Sequence, residues 1–403
     1  MAGVRVLEVA QFTFVPAAGA VLADWGADVI KVEHATAGDA QRGLKVLGGV
    51  KIPEERNPLM EHANRGKRSL GLDLSKPEGQ ALLYRLAAKS DVFLTNFLPS
   101  ARAKLKIDVE DIRAVNPDII YVRGSAFGHR GPDADAGGYD MTAFWCRAGS
   151  AASATPPGTD GVVWQPGPAY GDSIGGMTIA GGIAAALFKR ERTGETSLVD
   201  VSLLSTGIWA VGLAVNLSLA TGTAWQGSEI DYHSSEANPL VGIFRTRDGR
   251  GLSLSMLQAN RYWAEFCTLA ERPELATDPR FASAQLLFEN AAAAGQEVAG
   301  IIATKTLAQW REVLARGEGQ WAAVQNTAEL ADDPQVQANG YIVPVEAADG
   351  ETFSLVASPV QFDERPPDVR RAPAFSEQTE EILLELGLDW PEILELKTAD
   401  VVG

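Results

Sequence analysis

Apolar residues along this chain recur with two periods, and the periods take turns. Val4–Val9 and Val29–Val32 are short runs rich in β-branched residues, the mark of strands. Between them, Pro16 to Trp25 carries Ala17, Ala18, Ala20 and Ala23 behind a leading proline, the pattern of a helix, and Gly26-Ala27-Asp28 closes it. This strand–helix–strand unit of about 30 residues is long enough for a parallel crossover. The alternation continues. Leu70–Leu74 predicts a strand, and Ser75 with Glu78 predicts the capped start of a helix to Ala88. Val92–Leu94, Ile119–Val122 and Ser197–Val201 predict further strands, with helices over 109–115, 178–188 and 203–219. Repeated alternation of this kind implies an α/β fold built on a doubly wound, mostly parallel sheet.

Ligands of such sheets bind beyond the carboxyl ends of the strands. The loops that fall there are 10–16, 33–43, 96–106 and 123–140. The last is long, rich in Gly, Pro and Asp, holds His129 and ends at Tyr139-Asp140, which points to function rather than simple connection. The G-x-G-x-x-G fingerprint is missing from the first turn, so a nicotinamide cofactor is not expected. Past residue 220 the pattern changes. A polar linker over 220–240 precedes two strand-like runs, Ile243–Thr246 and Leu252–Ser255, around Arg247-Asp248-Gly249-Arg250, a hairpin with Asp-Gly in its turn. Helical segments with Trp263, Phe266 and Trp310 follow, so a smaller α+β domain is expected to about residue 330. A second hairpin over 341–346 and 352–356 and a helix over 377–386 come near the end.

Composition narrows the class. The 403 residues are 46% hydrophobic and 22% charged, ordinary for a globular protein of one or two domains. A net charge of −17 argues against nucleic acid or an anionic membrane surface as partner. The two cysteines, Cys146 and Cys267, match no metal or redox spacing and read as buried free thiols; their scarcity fits a reducing, cytoplasmic setting. The first strand begins almost at once, and Gly, Asp or Arg interrupts the long apolar runs, so neither a targeting segment nor a membrane span is expected.

One stretch concentrates candidate chemistry: Gly171-Asp172-Ser173-Ile174-Gly175-Gly176-Met177, between the irregular Gln165-Pro166-Gly167-Pro168 and an apolar helix. Asp172 is expected on a bend at a helix N-terminus, where an ionised carboxylate is favoured and where Asp also serves as a plain cap. The glycines beside it suggest close approach of a bulky ligand, and a carboxylate so placed can act as a covalent nucleophile.

Several stretches in this order resemble the class III CoA-transferases, a family that includes formyl-CoA transferase, carnitine and bile-acid CoA-transferases and the α-methylacyl-CoA racemases. They are Gly3–Glu8, Leu22–Glu33, Gly38-Asp39, Asn64 with Lys67-Arg68-Ser69, Asp73-Leu74, Asn96-Phe97, Asn116-Pro117, Gly171-Asp172, Arg192-Thr193-Gly194, Thr246–Arg250 and Glu377-Gln378-Thr379. The resemblance implies a large Rossmann-like, CoA-binding domain over 1–220 completed by 335–403, a small α+β domain with its linkers over 221–334, and an interlocked homodimer. It implies transfer of CoA from an acyl-CoA to a carboxylic acid, with CoA as substrate and no metal.

The resemblance places the catalytic aspartate at Asp172, with Tyr139 and Asp140 beside it. It places CoA along Thr13, Phe14, His34, Leu72, Asp73, Leu74, Ser75, Asn96, Phe97, Leu98, Lys104 and Gly138. CoA phosphates need local cations, for which Arg42, Arg65, Lys67, Arg68 and Lys104 are candidates. The racemase branch has a histidine where this chain has Tyr139, and tyrosine is a poor base near neutral pH. His129 reads as a loop residue. An acyl-CoA racemase and a catalytically silent CoA-binding protein are the alternative readings. The glycine-rich flap of formyl-CoA transferase is missing, which counts against an oxalate–formate pair. Phe12, Phe14, Phe144 and Trp145 near the presumed site point to a hydrophobic acyl chain, with core packing expected for at least half of them.

Overall fold

The computed structural model describes residues 1–53, 56–227 and 238–403, so the predicted linker lies in part, over 228–237, outside the described residues. The chain divides into two compact units, Met1–Gly227 with Gln337–Gly403, and Ser228–Val336.

The first unit is built on six parallel strands: β1 Arg5–Val9, β2 Asp28–Glu33, β3 Arg68–Gly71, β4 Val92–Thr95, β5 Ile120–Ser125 and β6 Leu198–Ser202. Their spatial order is β3-β2-β1-β4-β5-β6. The side chains divide by the two-residue strand period. Val6, Val29, Val92 and Val122 face one core with the helices Phe14–Asp24 and Tyr170–Thr193. Leu7, Ile30, Phe93 and Tyr121 face the other, with Pro77–Ala87, Val109–Val115 and the C-terminal helices Thr379–Glu385 and Trp390–Thr398. Burial on both faces explains the near-continuous apolar runs. The order reverses between β1 and β4, so the crevice for a ligand opens between the loops after those two strands.

The C-terminal tail completes this unit. Val401 and Val402 are buried beside Leu72, the Asp73 N–H donates to Val401 O at 2.8 Å, and the Gly403 N–H donates to Gly71 O at 3.2 Å. A hairpin of β10 Ile342–Glu346 and β11 Thr352–Val356 also belongs to it.

The second unit carries an antiparallel sheet of β7 Val241–Arg245, β8 Gly251–Ser255 and β9 Trp321–Ala323, in the order β9-β8-β7. The Asp-Gly turn forms as expected: Gly249 has φ +76°, and Asp248 accepts from Thr246 Oγ1 and, at 3.1 Å, from the Leu307 N–H. β9 gives no sequence signal, being three residues long. Trp263, Phe266 and Trp310 form the core.

Several expectations need correction. Ser75 does not cap the helix at 77–87: Lys76 holds the cap position, Pro77 fills the first turn, and the Ser75 hydroxyl donates to Asp73 Oδ1 at 2.6 Å instead. The helix expected over 203–219 is two, Leu203–Ala210 and Gly212–Thr221, bent by 71°. Cys146 is exposed; only Cys267 is buried. The helix Tyr170–Thr193 is long and apolar enough, by composition, to cross a membrane, which the interrupted runs concealed; here Ile179, Ala180 and Ile183 pack in the core instead. Short helices Pro58–Asn64 and Pro99–Leu105 occupy stretches that carry no clear period.

Candidate active site

The two prolines at 166 and 168 keep the chain irregular up to Ala169, which caps the long helix at φ +56°, ψ +25°. For a residue with a Cβ this left-handed backbone costs about 1 kcal/mol. The helix therefore starts at Tyr170, and Asp172 lies inside its first turn rather than on a bend before it. Asp172 is not the cap. The Ser173 N–H already donates to Ala169 O at 2.9 Å, which leaves the N–H groups of residues 170–172 as the first-turn donors.

A histidine that gave no sequence signal secures this turn. The Ser173 hydroxyl donates to Ala169 O at 2.9 Å and lies 2.9 Å from His62 Nε2. Its proton being engaged, the hydroxyl accepts from the imidazole, which assigns the Nε2–H tautomer. Burial, with help from the Arg65 charge, pushes the His62 pKa down to about 4, so this donor stays neutral.

The glycines serve the protein's own packing, not a ligand. A Cβ on Gly171 would come within 2.5 Å of the Phe144 ring, on Gly175 within 2.3 Å of Phe14, and on Gly176 within 2.6 Å of Ala17 Cβ. Gly175 and Gly176 let the helix Phe14–Asp24 lie directly against the long helix.

Asp172 opens into a cavity of about 830 Å³ at the point where the strand order reverses. Burial raises its pKa to about 7, and the neighbouring Asp140 charge adds to the rise. Asp140 is buried, its Oδ1 accepting from the Met141 N–H at 2.7 Å and its Oδ2 from Gln165 Nε2 at 3.0 Å. Tyr139 also lines the cavity, but the residue is 62% exposed and its ring rests edge-on against Phe12, 5.7 Å between ring centroids.

The loop after β1 forms the facing wall. Phe12 has φ +63°, and its N–H donates to Asp39 Oδ1 at 3.2 Å. Gln11 and Asn96 exchange two hydrogen bonds, 3.1 and 2.7 Å, tying this loop to the one after β4. Thr13 donates to Gln41 Oε1 at 2.9 Å. Beneath the loop lies a fully buried ionic cluster: Lys31 Nζ meets Asp39 at 2.8 Å, Glu8 at 3.3 Å and Ala10 O at 2.8 Å, and Lys67 Nζ meets Glu8 at 2.7 Å. Burial works against both charges. Asp39 and Glu8 hold the Lys31 pKa above its ordinary value, whereas Lys67, beside Lys31, is pushed down to about 7.

Most of the candidate phosphate-binding cations are thereby accounted for. Lys67 is engaged with Glu8, Arg65 with Asp24 at 2.8 Å, Arg42 with Glu33 at 2.6 Å, and Arg68 with Asp28 and Glu385 at 2.8 and 2.7 Å. Each is held by a carboxylate of the protein itself. Lys104 is exposed on the helix after β4 and forms no ion pair within 4.0 Å among the described residues.

Of the expected site residues, Phe14, Asn96, Phe97, Leu98, Gly138, Tyr139 and Asp172 line one cavity. Thr13 and Asp140 are next in sequence to lining residues but do not line it themselves. His34 and Leu72–Ser75 lie apart from it, past the ends of β2 and β3: His34 is exposed with Nδ1 accepting from the Thr36 and Ala37 N–H groups, and Asp73 feels the His34 charge. Leu72 and Leu74 are buried. Phe12 and Phe14 line the cavity, whereas Phe144 packs on Gly171 and Trp145 Nε1 donates to Val163 O at 2.7 Å. His129 lies in a loop, as expected. It lines the cavity, and its Nε2 lies 3.6 Å from Asp200 Oδ1; burial and the Arg123 charge keep its pKa below the ordinary value.

A sequence model described as CoA-transferase family III matches residues 1–379. The chain is 31% identical over 405 residues to (R)-2-hydroxy-4-methylpentanoate CoA-transferase of Clostridioides difficile, covering 99% of this chain and 98% of that protein. It is 31% identical to cinnamoyl-CoA:phenyllactate CoA-transferase of Clostridium sporogenes, covering 98% and 95%. Among solved structures, a CAIB/BAIF family protein from Brucella suis superposes with a TM-score of 0.80 at 27% identity, covering 96% of this chain and 98% of that one.

Proposed function

The chain belongs to CoA-transferase family III, and from that premise we propose that it moves CoA from an acyl-CoA thioester to a carboxylic acid, with Asp172 as the covalent nucleophile. One observation carries the reading: the Asp172 carboxylate opens into the cavity at the sheet's reversal point. The carboxylate attacks the thioester carbonyl, giving a mixed aspartyl anhydride and CoA thiolate. The thiolate attacks the aspartyl carbonyl of that anhydride, releasing the donor acid and leaving an aspartyl-CoA thioester. The acceptor carboxylate then attacks this thioester, and the returning thiolate takes the new acyl group and frees Asp172. Thioester and anhydride are similarly activated, so each step is modest. The first-turn N–H groups of residues 170–172 are suited to the developing oxyanion.

CoA would run from this cavity over Phe14, Gly138 and Asn96–Leu98, with its nucleotide toward Lys104, His34 and Leu72–Ser75. Exposure of Lys104 supports the phosphate role. We also propose a homodimer in the cytoplasm. Trp209, Leu213 and Leu219, 75–85% exposed on the bent helix pair, offer an apolar face to a second copy. The racemase reading loses ground, since Tyr139 stands beside Asp140 and the two relatives named above are transferases.

Incubation with an acyl-CoA and hydroxylamine, followed by peptide mass spectrometry, tests the reading. A hydroxamate on Asp172 is expected; trapping on any other residue, or none, rules the nucleophile out.

A further inference from the structure

The cavity in front of Asp172 has a one-sided chemistry. Phe12 from the loop after β1, Phe127 after β5 and Leu203 after β6 give it apolar and aromatic walls, beside the Phe14, Phe97 and Leu98 assigned above to CoA. Among the described residues that line it, none is a lysine or an arginine. Its lining also holds Asp172 and His129, and neither supplies a fixed positive charge there. Burial and the nearby Arg123 guanidinium push the His129 pKa below its ordinary value, which favours the uncharged imidazole. Arg102, Arg123 and Arg147 of the adjoining elements are committed elsewhere, whereas Arg130, beside His129, is exposed and lines a neighbouring cavity. Arg102 donates to Phe97 O at 2.7 Å and pairs with Asp108; Arg123 pairs with Asp200 at 2.6 Å; Arg147 pairs with Asp133 at 2.7 Å and stacks on the Phe127 ring at 4.7 Å. The fixed charge felt at the reacting carboxylate is that of Asp140.

We propose that the acids exchanged at this site are monocarboxylates with an uncharged aliphatic or arylalkyl tail, and that dicarboxylic acids and their CoA half-thioesters are rejected. The inference rests on the reading that Asp172 bonds the acyl group. An apolar tail gains about 25 cal/mol for each Å² it removes from water against these walls. A second carboxylate would lose its hydration with no lysine or arginine in the described lining to meet it, and would lie in the field of two aspartates. An unpaired buried charge is the costliest group to bring into such a space. Electrostatics here excludes partners more than it attracts them.

The test compares exchange rates at pH 7.5, with butyryl-, 4-methylpentanoyl- and 3-phenylpropanoyl-CoA on one side and succinyl- and glutaryl-CoA on the other, each against its own labelled free acid. The expected kcat/KM for the two dicarboxylic donors is at least ~100-fold below that of the best monocarboxylic donor. Comparable or faster turnover of succinyl- or glutaryl-CoA overturns the proposal while leaving Asp172 chemistry standing. Equilibrium binding of the same five thioesters to Asp172→Asn, measured by calorimetry, separates the two ideas. If the wild type transfers none of them, the transferase reading falls. The proposal then stands on tighter binding of the monocarboxylic thioesters and fails if the dicarboxylic ones bind equally well.

Discussion

The Asp172 carboxylate carries opposite demands. As a nucleophile it must be ionised, and its surroundings, burial first and Asp140 second, disfavour ionisation until about pH 7. The rate of acyl-CoA consumption should therefore rise with pH through a limb near 7, and Asp140→Asn should move that limb lower by removing the neighbouring charge; an unmoved limb would reject Asp140 as its cause. The stability consequence has a definite sign. Between about pH 4 and pH 7 the folded protein holds a proton that the unfolded chain has released, so stability falls as pH rises across that window. Asp172→Asn removes this penalty. The variant should lose transfer activity by roughly three orders of magnitude or more, yet gain stability over the wild type, on the order of 2–4 kcal/mol at pH 7.5 and little at pH 4. Urea denaturation at the two pH values checks the difference. Asp172 was legible in the sequence because an acid flanked by prolines and glycines is unusual. His62 was not: a lone histidine on a short helix gives no period, and only folding brings it 2.9 Å from Ser173.

Packing of the long helix on the first helix depends on which glycines face inward. Gly176 meets Ala17 and the Ala18 backbone, while Gly181, in the same helix, has no atom within 4 Å of the position a Cβ would take. Gly176→Ala should destabilise by about 1–3 kcal/mol through overpacking. Gly181→Ala should stabilise by up to about 1 kcal/mol, because alanine is the better helix former. Thermal melts of both variants check the contrast, and equal effects would mean the helices do not meet at Gly176. The strands and major helices were legible from their two periods. Ser75 misled because a capping signal competes with a nearer acceptor, and the Asp73 carboxylate wins its hydroxyl.

The large unit is closed by residues far apart in sequence. Val401 and Val402 are buried against the end of β3, and Lys397 Nζ donates to Gly403 O at 2.9 Å. Deleting residues 399–403 removes two buried valines, worth about 3–5 kcal/mol together, and frees the Asp73 and Gly71 backbone partners. The denaturation midpoint should fall accordingly; a midpoint within error of the full chain would show that the tail is dispensable.

Local pattern alone determined the β–α alternation, the parallel sheet, the Asp-Gly hairpin and the placing of Asp172 at a helix start. Each follows from side-chain period, proline geometry or turn preference, which act over a few residues. Tertiary structure alone decided what the charges and glycines do. Lys67, Arg65, Arg42 and Arg68 read as free cations in the chain, and become internal ion pairs because Glu8, Asp24, Glu33 and Asp28 reach them from other strands and helices. Whether a charge meets a ligand or a neighbour depends on distances that no spacing in sequence encodes.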